Sequence, residues 1–158
     1  MLVDTTISIG RHVIGEGHPT FIIAEIANCH EGSAEIACKM VDKIAETGVD
    51  AVKFQLHIPG AEMLSSHPKF ETQGQRALSI SEIAHLKQYV EEKDLVFLCT
   101  PFSRQAADEL DRMDVAAFKI GSGEVSYLDF IDYVACKGRP MIVSTGMAEL
   151  AEVDEAAL

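Results

Sequence analysis

Basic residues are scarce in this 158-residue chain: 13 Lys and Arg stand against 25 Asp and Glu, a formal net charge of −12. A nucleic-acid surface needs clustered Lys and Arg against phosphates, so that class of partner is excluded. A small anionic ligand is not excluded, because a few converging lysines set the local field whatever the total charge. Long apolar runs are also missing. None reaches 18 residues, so no membrane-spanning helix and no membrane partner is expected. The opening stretch MLVDTTISIGRHVIGEGH has no basic segment followed by an apolar one, and a secretory signal is not expected. Cys29, Cys38, Cys99 and Cys136 are far apart and fit no CxxC metal spacing. They read as reduced thiols of a cytoplasmic protein.

What is present is ordinary for one globular domain with a real core: 47% hydrophobic and 24% charged residues. Residues 1–20 alternate in places and hold a Gly-Glu-Gly-His-Pro turn, which predicts a short β-hairpin. Strands are then expected over 21–27, 49–55, 95–101, 115–122 and 140–146. Helices are expected over 33–48, 79–94, 103–114 and 127–138, with another starting near Ala148. Ser33 and Ser81 are the expected N-caps of the first two helices. Residues 56–80 carry two prolines and two glycines and read as one long functional loop. Strict β/α alternation implies a parallel sheet. A five-stranded doubly wound sheet fits this pattern, and so does most of a (β/α)8 barrel, whose complete form needs about 250 residues.

The polar residues fall in a pattern. Glu25 lies in FIIAEIA, Lys53 and Gln55 in AVKFQ, Thr100 in FLCTP. Lys119, Ser122 and Glu124 lie in FKIGSGE, and Ser144 in IVSTG. Parallel α/β folds build ligand sites at the carboxyl ends of their strands. Two lysines, hydroxyls and glutamates converging there suit an anion with several oxygens, and the Gly-Ser-Gly turn lets backbone N–H groups approach it. A lone strand lysine could instead snorkel to water or pair with a carboxylate. His30, His57 and His67, isolated in loops, read as surface groups. Lys119 has a rival role as a Schiff-base lysine in another phosphoenolpyruvate or sugar-phosphate lyase. A non-catalytic half-barrel that pairs its open edges with a second copy is the remaining alternative.

The motifs FIIAEIANCHEGS, DAVKFQ, TPFS, FKIGSGE and RPMIVSTGM, in that order and spacing, resemble the N-terminal part of the sialic acid (N-acetylneuraminate) synthases. Close relatives of that family make pseudaminate, legionaminate and spore-coat sugars. The resemblance runs from about residue 19 to the end. It implies the first five βα units of a (β/α)8 barrel over 19–158, preceded by a hairpin cap over 1–18. Later strands and a small C-terminal antifreeze-like domain of the family are not matched.

The implied activity is condensation of phosphoenolpyruvate with an N-acetylhexosamine such as N-acetylmannosamine, with C–O cleavage and phosphate release. The implied cofactor is Mn2+ or Mg2+, and the implied assembly is a homodimer. Carried over residue by residue, Lys53, Thr100, Lys119, Ser122 and Ser144 match phosphoenolpyruvate contacts. Glu25, Gln55 and Glu124 match positions facing the sugar and the reacting centre, with Glu25 and Glu124 as the catalytic candidates. The family's metal-binding histidines lie beyond Leu158, so no metal ligand is expected in this chain, and the chain alone is not expected to turn over. The family's Gly-x-Asn-His after the first strand is replaced by Ala27-Asn28-Cys29-His30, which keeps His30 and alters the loop beside Glu25.

Overall fold

A computed structural model describes residues 5–157. Strands β1 (Thr6–Ile9) and β2 (His12–Gly15) form an antiparallel hairpin. Its tight turn is at Gly10-Arg11, where Gly10 has φ +57°, a left-handed conformation glycine adopts freely. The Gly-Glu-Gly-His-Pro segment expected to make that turn instead leads out of the hairpin. Residues 1–4 of the expected cap, and Leu158 of the last helix, lie outside the described residues.

Five parallel strands follow: β3 (Ile23–Glu25), β4 (Ala51–Leu56), β5 (Val96–Pro101), β6 (Phe118–Ile120) and β7 (Met141–Val143), side by side in chain order. The connecting helices are α1 (Ala34–Ala45), α2 (Pro59–Glu62), α3 (Phe70–Arg76), α4 (Ile80–Glu91), α5 (Arg104–Arg112) and α6 (Leu128–Ala135), with α7 (Leu150–Ala156) after β7. The expected strands and long helices are present with ends trimmed by a few residues. The stretch 56–80 is not one irregular loop, because α2 and α3 occupy much of it. Both are too short to show a helical period in sequence.

The order of the strands decides between the two expected sheets. A doubly wound sheet reverses strand order at a switch point and carries helices on both faces. Here the order runs straight, and α1, α4, α5 and α6 all cover one face. Val41, Leu86, Leu110 and Val134 pack there with Val52, Phe54, Phe97 and Phe118. Among the described residues, no helix covers the opposite face. Its lower half is closed by the hairpin, whose Ile9 is 1% exposed and packs with Ala51, Val96, Leu98 and Ala117. Arg11 fastens the hairpin by donating to the Asp94 carbonyl at 2.6 Å. The sheet is the N-terminal portion of a (β/α)8 barrel, five βα units with the helices outside.

Helix α4 starts two residues earlier than the expected cap implies. Ser79, not Ser81, is the N-cap: its hydroxyl accepts from the Glu82 N–H at 3.2 Å, while Glu82 Oε2 accepts from the Ser79 N–H at 2.8 Å. This reciprocal box is the sequence signal Ser-x-x-Glu. Ser79→Ala is expected to cost about 1 kcal/mol and Ser81→Ala less than about 0.5 kcal/mol. Chemical denaturation of the two variants checks the difference.

Candidate active site

Alternate residues of a strand face the same side of a sheet. Since Ala51 and Leu98 face inward, so do Lys53 and Gln55 on β4 and Thr100 on β5. Lys119 follows Ala117 inward on β6. The inner face is therefore apolar where the hairpin plugs it and polar toward the carboxyl ends. Register places Glu25 beside Lys53 and Gln55 beside Thr100. The turn after β6 closes with the Glu124 N–H donating to the Gly121 carbonyl at 3.1 Å, which sets Ser122 and Glu124 over the same end. Ser144 continues β7, its N–H donating to the Ile120 carbonyl at 3.1 Å.

Lys53 and Lys119 dominate the field. The Lys53 ammonium is ion-paired with Glu25 Oε2, and Glu25 Oε1 accepts from the Ala27 N–H at 3.0 Å. Even so, burial first, and the neighbouring Lys119 second, hold Lys53 below the ordinary ammonium range. Lys119 is 8% exposed and donates to the Ile120 carbonyl at 2.5 Å. Burial lowers its pKa too, against the opposing pull of Glu124. Glu124 is pushed up by its own burial, which outweighs Lys119 and His57. Two ammonium groups in a low-dielectric mouth, one paired with Glu25 and the other without a direct carboxylate contact, suit an anion. Thr100, at 3% exposure, lies on the same face. The structure thus brings Glu25, Lys53, Gln55, Thr100, Lys119 and Glu124 to one end of the sheet, with Ser122 and Ser144 on the adjoining turns.

Two histidines expected at the surface are not there. His30 is 1% exposed, its Nδ1 accepting from the Gly32 N–H at 3.1 Å, and burial lowers its pKa. The His57 ring stacks on Phe102 with centroids 4.2 Å apart. Its Nδ1 lies 2.9 Å from Glu62 Oε2 and its Nε2 lies 3.2 Å from Gln55 Oε1. Only His67 is exposed as expected. Neither Glu62 nor His57 was legible as a functional group, since their five-residue spacing matches no helical or strand period.

Beside the mouth, a cleft of about 560 Å3 is lined by Glu62, Phe102, Ser103, Glu124 and Tyr127 among others. A separate apolar cavity of about 410 Å3 lies at the hairpin end, among Ile9, Phe21, Ile23 and Ile142, away from the lysines. Among the described residues, no group of three or more His, Cys, Asp or Glu is disposed to hold a metal ion.

Two backbone positions carry the site. Ala27 has φ +49°, in the left-handed region that favours glycine, and its N–H holds the Glu25 carboxylate. Ala27→Gly is expected to stabilise the fold by about 0.5–1 kcal/mol, the left-handed cost relieved less the added unfolded-state entropy. Thermal and denaturant unfolding measure it. At Gly121 an added methyl would overlap Glu124 Oε2, the end of a flexible side chain. Gly121→Ala is expected to cost less than about 1 kcal/mol while displacing that carboxylate toward water. The Glu124 pKa then falls toward the ordinary glutamate range, which a carboxyl 13C titration reads.

Comparison with known proteins puts this arrangement in context. The chain is 35% identical over 159 residues to the spore coat polysaccharide biosynthesis protein SpsE of Bacillus subtilis, covering 94% of this chain and 43% of that one. It is 32% identical over 166 residues to the N-acetylneuraminate-9-phosphate synthase of Homo sapiens, covering 95% and 45%. The crystal structure of the N-acetylneuraminic acid synthetase of Leptospira borgpetersenii superposes with a TM-score of 0.90 at 27% identity, over 96% of this chain and 53% of that one. The chain spans less than half the length of these curated relatives. Residues 40–158 match the NeuB family as a whole. This chain belongs to the NeuB family.

Proposed function

We propose that this chain supplies the phosphoenolpyruvate-binding part of a sialic-type acid synthase. The observation that carries the reading is the pair of ammonium groups, half-buried Lys53 and buried Lys119, on the inner face at the carboxyl ends of β4 and β6, two parallel strands separated by β5. Phosphoenolpyruvate has a phosphate and a carboxylate on one small carbon frame, and two neighbouring ammonium groups complement both. A Schiff-base lysine would need one such group rather than two, so the pairing supports anion capture.

In this reading, Lys53 and Lys119 bind the phosphate and carboxylate. Thr100, Ser122 and Ser144 donate further hydrogen bonds. Arrival of the anion releases the Lys53–Glu25 ion pair and frees the Glu25 carboxylate toward the reacting centre. Glu25, Gln55 and Glu124 face an N-acetylhexosamine of the N-acetylmannosamine kind. The enol carbon of phosphoenolpyruvate attacks the sugar aldehyde, whose oxygen takes up a proton. Water adds to the cationic carbon left behind and gives up a proton, and phosphate departs with its C–O bond to leave a 2-keto acid. Glu124, whose pKa burial raises, is a donor for the first proton, and Glu25 an acceptor for the second.

The described residues do not form a metal centre, and no step here runs through one. The Mn2+ or Mg2+ of the parent enzyme would be held by residues outside this chain. The same reading divides the chain into a cap over 1–18 and a partial barrel over 19–158. Later strands and a C-terminal domain complete it in a cytoplasmic homodimer, and the isolated chain binds without turning over.

Calorimetric titration with phosphoenolpyruvate tests the reading. The wild-type chain is expected to bind, and the Lys53→Ala, Lys119→Ala double variant to lose at least about 100-fold in affinity, two charge-assisted contacts at 1.5–3 kcal/mol each. A folded wild-type chain that ignores the ligand, or a double variant that binds as well, overturns it.

A further inference from the structure

The cleft of about 560 Å3 beside the mouth takes no part in the phosphoenolpyruvate contacts. It opens between the turn after β5 and the turn after β6, and Glu124, the electrostatic neighbour of Lys119, borders both spaces. Its walls are aromatic. Phe102 comes from the end of β5, and Tyr127 and Phe130 from the start of α6. The Tyr127 and Phe130 rings stack with centroids 5.8 Å apart, and Tyr127 remains 54% exposed. Its side chain makes no capping bond to α6, so the start of that helix does not account for it. An open aromatic face attracts the weakly positive C–H groups of a sugar.

The polar lining is chiefly acceptor in character. Glu62 and Glu124 contribute carboxyl groups. The Ser103 hydroxyl accepts from the Ala106 N–H at 3.2 Å as the N-cap of α5. Among the described residues that line the cleft, Arg104 is the one cation. Its Nη2 donates to the Asp129 carbonyl at 3.3 Å, and its guanidinium lies 4.9 Å from the Tyr133 ring centroid. Neither partner lines the cleft. A phosphate dianion is held by several cationic or N–H donors converging on its oxygens. This lining offers one guanidinium, engaged elsewhere.

We propose that this cleft sets acceptor specificity: Phe102, Tyr127 and Phe130 receive the end of the sugar remote from its aldehyde, and they admit an uncharged sugar in preference to its phosphate ester. The proposal deepens the synthase reading and rests on it for the reaction at Glu124. With the aldehyde oxygen at that carboxyl group, the remaining carbons extend past it into the cleft. Family membership does not decide the point, since the human relative is named for a phosphorylated product and the Bacillus subtilis relative is not.

The test is calorimetric titration of the full 158-residue chain with N-acetylmannosamine and with N-acetylmannosamine 6-phosphate, each with and without saturating phosphoenolpyruvate. The neutral sugar is expected to bind at least about fivefold more tightly, because the ester brings its charge to a place without a free cation. A smaller preference, tighter binding of the ester, or binding of neither sugar overturns the proposal.

Variants locate the effect. Tyr127→Ala is expected to weaken the neutral sugar about three- to tenfold, and Tyr127→Phe, which keeps the ring, to stay within about twofold of wild type. Phosphoenolpyruvate binding is expected to stay within about twofold in both, a readout that a folding defect would move. Gln105→Lys adds a cation to the exposed first turn of α5. It is expected to raise ester affinity about fivefold while neutral-sugar binding is unchanged. An ester that gains nothing there, or a Tyr127→Ala chain that binds the sugar as well as wild type, overturns the assignment. If phosphoenolpyruvate does not bind the wild-type chain, the synthase reading falls, while the sugar titrations made without it still decide the cleft.

Discussion

Two ammonium groups held inside the curl of a parallel sheet set the terms for the rest of this structure. Lys119 is buried and Lys53 half-buried on the inner face, and desolvation holds both below the ordinary ammonium range. Isolated charge in such a place costs several kcal/mol. The chain offsets part of that with Glu25, the Ile120 carbonyl and the more distant Glu124. It leaves the remainder uncompensated. What would favour a bound anion and what stabilises a fold are therefore opposed at these two positions, and the apolar layers on both sides carry the difference.

Those layers explain how the site can be dry at its base. The hairpin places Ile9 against Ala51, Val96, Leu98 and Ala117, small or flat side chains that leave room for it. The helix layer on the outside buries Phe54, Phe97 and Phe118. Each strand thus passes between two apolar surfaces before its polar residues emerge at the carboxyl end. The loop after β3 adds a local conflict, a left-handed alanine whose N–H holds Glu25 in place. Strain of that kind persists where the surrounding contacts over-determine it.

Much of this was legible in the chain itself. A polar residue near the carboxyl end of each strand marked AVKFQ and FLCTP as contributors to one site. The strand–helix order gave a parallel sheet. Barrel against doubly wound sheet was not decided by pattern, because both use the same βα units and differ in strand order and in where the helices pack. The cap at Ser79 had a readable signal in Ser-x-x-Glu, which the nearer Ser81 obscured. Helices α2 and α3 had none, being four and seven residues long. His57 and Glu62 were hidden for a related reason: a short helix folds back within five residues and brings together side chains that no regular period pairs.

The alternation on β4 has one more consequence, for folding fidelity. Shifting that strand by a single residue would turn Lys53 and Gln55 into the helix layer and expose Val52 and Phe54 to the mouth. An ammonium group among Val41, Leu86 and Phe97 would have no partner there, so the slipped pairing is far less stable than it would be for an all-apolar strand. The residues that make the sheet useful also make it unambiguous. A chain that replaced them with valine would gain core and lose its only marker of which way the strand should face.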